Sequence, residues 1–73
     1  MERRSLALTV TENVAAAIER SNETLITISQ ATDIPVSGLR ERLANRVEFT
    51  MSEIGRVGGF FRIHPADLLE SAK

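Results

Sequence analysis

Apolar residues along this chain recur mostly three and four positions apart, the spacing that gathers side chains on one side of a helix. In TVTENVAAAIERSN, Val10, Val14, Ala17 and Ile18 fall on one stripe, and the alanine run favours helix. Thr9, with Glu12 three residues on, fits a capping box. Just upstream, Leu6, Leu8 and Val10 alternate, so residues 5 to 10 also read as extended chain, and that boundary stays open.

The next segment, TLITISQAT, carries two patterns at once. Ile26 and Ile28 alternate with Thr27 and Ser29, which suits a strand, while Leu25, Ile28, Ala31 and Thr32 share one side of a helix that Thr24 can cap. Its neighbours decide for helix. Asp33 tolerates left-handed geometry, and Pro35 disfavours helical geometry at Ile34, so the chain turns at 33 to 35. Pro35 then stands at the start of a third helix, VSGLRERLA, which ends near Asn45, a residue suited to the left-handed C-terminal position.

Thr50 and Glu53 form a second capping-box pattern ahead of MSEIGRVGGFF, where Ile54, Val57 and Phe61 share a face. Gly58 and Gly59 weaken such a helix, which points to close packing there. A last short helix opens at Pro65 and turns Leu68 and Leu69 inward. The expected fold is all-α, a bundle of five short helices. Residues 1 to 8 form an N-terminal arm and residues 9 to 73 the domain.

Length sharpens this picture. A chain of 73 residues makes one domain and buries only about 60% of its unfolded surface, so each large apolar residue counts. There is no cysteine, hence no disulfide or Cys-based zinc site to reinforce the core, and no apolar run long enough to span a bilayer. These features suggest a soluble protein of the reducing cytoplasm. The formal net charge is −1, which offers no global basic field, but residues 38 to 62 carry five arginines against three glutamates.

Three of those arginines, Arg40, Arg42 and Arg46, lie on or just past the third helix. At about 100° per residue, Val36, Leu39 and Leu43 make its buried stripe, and Ser37, Gly38, Glu41 and Ala44 face outward. Arg40 and Arg42 flank that slim face on opposite sides. Such a helix suits the major groove of B-form DNA, with guanidiniums reaching phosphates at either side.

The run from Thr24 to Ala44, followed by EFTMSEI and IHPADLL, resembles the Cro and cI-type helix-turn-helix domains of bacteria and their phages over roughly residues 10 to 70. LRERLANR followed by Phe49 resembles the variety common in actinobacteria and their phages. Within that frame Ser29 takes the small-residue position where the two helices cross, and Ile28, Ile34 and Leu39 hold the pair together. Two positions depart from the pattern. Asp33 stands where glycine is usual in the turn, and Arg42 stands at an apolar position late in the reading helix, with Leu43 one residue on, which implies a slightly rotated helix.

The resemblance implies a lambda repressor-like bundle acting as a transcriptional repressor or Cro-like protein, a homodimer on double-stranded operator DNA. It places Val36, Ser37, Arg40 and Glu41 at base edges, and Thr24, Arg42, Asn45 and Arg46 at phosphates. Arg40 suits bidentate pairing with guanine, and Glu41 can only accept, from a cytosine amino group or an arginine. Arg3 and Arg4 suit a groove-entering arm or a solvated terminus. Phe60, beside core residue Phe61, is the dimer-contact candidate or an edge-of-core residue.

Other chemistry is thin. His64, the only histidine, precedes Pro65 and reads as a capping or surface residue; without ligand partners in the sequence, no metal or other cofactor is expected. The GGF at residues 58 to 60 lies inside a helix pattern and lacks the Lys-Ser/Thr of a phosphate loop. No nucleophile, base and orienter can be assembled, so the expected function is not enzymatic. A second reading keeps the fold but makes the partner a protein, as an antitoxin-like or anti-repressor module; the acidic total charge and Glu41 favour it.

Overall fold

A computed structural model describes residues 5–70, which form α1 (Leu6–Ser21), α2 (Leu25–Thr32), α3 (Val36–Leu43), α4 (Met51–Phe61) and α5 (Pro65–Leu68), with no strand among them. Helix starts leave backbone N–H groups without partners, and side chains take them over at four of the five. Ser5 accepts from the Leu8 N–H, Thr24 from Thr27, Thr50 from Glu53, and His64 Nδ1 from Ala66. At α4 the Glu53 carboxylate also accepts from the Thr50 N–H, which completes the expected capping box. Helix α3 has no side-chain cap and begins after Pro35, which has no N–H to satisfy.

The expected box at Thr9 does not form. Helix α1 starts a turn earlier because Ser5 caps it and Ala7 and Leu8 are strong helix formers, and Thr9 is buried inside the helix. The helix thus takes in residues 6–8, which the sequence assigned to the arm; Arg3 and Arg4 lie outside the described residues.

Left-handed residues follow four of the helices: Asn22, Asp33, Asn45 and Arg62, with φ of 60°, 62°, 65° and 59°. Asp33 and Asn45 were legible for this role; Arg62 was not, since a long side chain tolerates the geometry poorly. After α3 the Arg46 N–H donates to the Glu41 carbonyl at 2.9 Å and the Asn45 N–H to that of Arg42 at 3.1 Å, the paired bonds of a Schellman ending. Helix α4 ends the same way, with Ile63 donating to Gly58 at 2.8 Å and Arg62 to Gly59 at 3.3 Å.

Every helix contributes to one core: Val10 and Val14, Ile28, Leu39, Ile54 and Val57, and Leu68, joined by Ile34 and Phe49 from the connections. Ala31, expected inward, is exposed, and Leu43, Phe61 and Leu69 are only half-buried. Gly58 does serve close packing: a Cβ there would lie 2.6 Å from the Ile63 carbonyl oxygen. Gly59 does not, because a Cβ there would meet nothing within 4 Å. Asn13 ties α1 to the end of α5, its Nδ2 donating to the Leu68 and Glu70 carbonyls at 2.8 and 2.7 Å. No helix among the described residues is long and apolar enough to cross a membrane.

Candidate nucleic-acid interface

The local fold around α3 follows from its two ends. Asp33 in left-handed geometry stops α2 by donating its N–H to the Ser29 carbonyl at 2.8 Å, and Ile34 drops into the core, 2% exposed. The chain re-enters helix at Val36 with its direction changed. From α4, Arg56 Nη1 donates to the Thr32 carbonyl at 2.8 Å and so satisfies the C-terminal end of α2. On the other side, Thr11 of α1 donates to the Arg42 carbonyl at 3.4 Å.

Helix α3 is buried at Leu39 alone, which is fully covered. Ser37, Arg40, Glu41 and Ala44 are exposed, Gly38 is half-buried, and Val36 is half-buried at the edge of that face. The outward set expected from the helical wheel, Ser37, Gly38, Glu41 and Ala44, is therefore outward apart from partial cover on Gly38, whereas Val36 and Leu43, expected in the buried stripe beside Leu39, are only half-buried. Asn45 and Arg46, also exposed, follow the helix directly. The Arg40 and Arg46 side chains make no hydrogen bond or ion pair with other described residues, which leaves two long cations extended from one short stretch. Thr24 is exposed at the start of α2, but its hydroxyl is committed to the cap, accepting from the Thr27 N–H and donating to the Thr27 Oγ1, both at 3.1 Å.

Arg42 departs from its expected place among the phosphate-holding residues. Its guanidinium turns toward α4, where Nε donates to Glu53 Oε1 at 2.8 Å and Nη2 to Oε2 at 3.0 Å. Nη1 donates back to the Gly38 carbonyl at 2.9 Å. A cation at an apolar position of a packed helix needs a buried partner, and Glu53 supplies it. The two side chains are only 16% and 12% exposed. Burial raises the Glu53 pKa, but hydrogen bonds from Arg42 and the Thr50 backbone, with the charges of Arg42 and Arg56, outweigh it and hold the carboxyl below its ordinary value. Sequence pattern offered Glu53 only as the capping-box residue; the signal missed was the charge at position 42, which had to be answered from another helix.

His64 is exposed and caps α5, one of its two expected roles. Phe60 is half-buried and meets Phe61 edge-to-face, with ring centres 4.9 Å apart, so it occupies the edge of the core. The large apolar side chains left most exposed are Met51, Ile26, Leu6 and Val47, with Leu6 and Met51 at the rim of one groove of about 220 Å³. Comparison of the chain with protein-family models, curated proteins and solved structures returns no match.

Proposed function

We propose that the protein is a sequence-specific double-stranded DNA-binding regulator of the helix-turn-helix kind, acting as a cytoplasmic repressor or Cro-like protein by occupying its operator. The observation that carries this reading is the outward face of α3. Ser37, Arg40 and Glu41 stand exposed on a helix whose flanking residues, half-buried Gly38 and exposed Ala44 at its C-terminal cap, are small enough for close approach to base edges. Arg40 pairs with guanine, Ser37 bonds to either base type, and Glu41 accepts from cytosine. Arg46 and Asn45, with the start of α2 at Thr24, meet phosphates, which set orientation and supply most of the affinity. Two copies on half-sites about one helical turn apart multiply that affinity on a palindrome.

The competing reading, a helical module for a protein partner, draws on the net charge of −1 and on Glu41 in the outward face. A salt titration of duplex binding separates the two. DNA binding predicts affinity that falls steeply between low and moderate salt, with Arg46→Ala weakening all duplexes alike and Arg40→Ala relaxing sequence preference. Duplex binding unchanged by both substitutions would transfer the case to the protein partner.

A further inference from the structure

We infer that the Arg42–Glu53 ion pair, together with the Gly38 carbonyl, sets the roll of α3 about its own axis and thereby aims the outward face; the use of that face rests on the DNA-binding reading above. Three features of the packing leave this task to the pair. Helix α3 has eight residues and one fully buried side chain, Leu39, with Leu43 only half-covered against the same core, and so narrow an apolar contact resists being pulled out far better than being rolled, because burial is non-directional. Its backbone lies against α1 and α2, whereas no Cα of α3 comes within 8 Å of one in α4. Across that gap the Arg42–Glu53 bonds are the hydrogen-bonded link between the two helices among the described residues.

The geometry of the link suits the task. Two parallel bonds from a planar guanidinium to a carboxylate fix direction as well as distance. The third bond, from Nη1 to the Gly38 carbonyl, holds the same guanidinium against its own helix. Gly38 also makes room, since a Cβ there would lie 3.1 Å from Arg42 Nη1. At the other end, Glu53 Oε1 also accepts from the Thr50 N–H at 3.0 Å, so the carboxylate is fixed to the start of α4. At a helix radius of about 6 Å, a roll of about 20° carries a side-chain tip about 2 Å, enough to break a bidentate base contact. Arg42 and Glu53 are therefore positioning residues: neither reaches the partner, and both decide where Ser37, Arg40 and Glu41 point.

The test uses the full chain with Arg42→Lys, which keeps the charge but not the fork, Glu53→Gln, and the apolar pair Arg42→Met with Glu53→Met as a variant that keeps the gap filled if the others fail to fold. Two quantities are read: the affinity ratio between the best selected duplex and an unrelated one at fixed salt, and the backbone amide shifts of residues 36 to 43 without DNA. The expected result is a ratio lowered about tenfold in each folded variant, the loss of about one good base contact. Arg42→Lys should leave unrelated-duplex affinity within about twofold, because the net charge that sets it is unchanged. The shifts of Ser37, Arg40 and Glu41 should move in the free protein. An unchanged ratio and unchanged shifts, or a wild-type ratio in the apolar pair, would overturn the inference. If the wild type binds no duplex, the DNA-binding reading fails by itself, and the shifts still decide whether the pair sets the roll.

Discussion

Three helical glycines in α4 offer a sharp test of the packing, because one substitution, Gly→Ala, should act with opposite signs at positions three and one residues apart. Alanine in a helix interior is favoured over glycine by about 1 kcal/mol. At Gly55 and Gly59 a Cβ meets nothing within 4 Å, so Gly55→Ala and Gly59→Ala should each stabilise by up to that amount. At Gly58 the new Cβ would stand 2.6 Å from the Ile63 carbonyl oxygen, with Pro65 N and Leu68 Cδ1 both at 3.6 Å. Relief requires moving backbone, at a cost of about 1–3 kcal/mol for overpacking. Weakening the Ile63-to-Gly58 hydrogen bond that closes α4 adds about 1 kcal/mol. Net of the helix gain, Gly58→Ala should destabilise by about 2 kcal/mol, a large share of the stability of so small a domain. Thermal unfolding followed by circular dichroism should show a midpoint about 10 °C below wild type, against a rise for Gly59→Ala. A Gly58→Ala protein as stable as Gly59→Ala would refute the packing argument.

Other consequences follow from single contacts. Because the Glu53 pKa lies below its ordinary value in the folded chain, its contribution to stability is complete above the unfolded-state value near 4.5 and is lost as pH falls through the folded one. Urea midpoints measured from neutral pH into the acid range should therefore fall more steeply in wild type than in Glu53→Gln; parallel curves would contradict this. Arg62→Gly should stabilise by about 1 kcal/mol, since φ of 59° strains any side chain with a Cβ, and a loss in urea unfolding would count against that geometry. Asn13→Ala should cost about 1–2 kcal/mol by stranding the Leu68 and Glu70 carbonyls, with faster amide exchange confined first to α5.

What the sequence made legible was whatever local rules settle. The helical choice for TLITIS came from its flanks, Thr24 as cap and Asp33 with Pro35 as turn, and those residues do cap and turn. Asp33 and Asn45 announced themselves as left-handed by residue type, and the alternation of Leu39 with outward Ser37, Arg40 and Glu41 followed from helical spacing. What local rules could not settle depends on which segments meet. Ser5 and Thr9 are both able to cap, and the outcome hinged on whether one more turn fits before the core residues. Gly58 and Gly59 are equivalent in sequence and differ only in that the chain past α4 folds back over one of them. Arg42 looked like an outward cation until Glu53, eleven residues on, stood opposite it. Asn13 carried no signal at all, since its partners lie more than fifty residues away.

Whether α3 presents a face that reads DNA is decided by selecting bound sequences from random duplex DNA with the purified full chain. A DNA-reading α3 should enrich a palindromic motif whose half-sites lie about one helical turn apart, with a guanine position that loses its preference in Arg40→Ala. A pool that stays random after repeated rounds, at low salt as well as moderate, would contradict it.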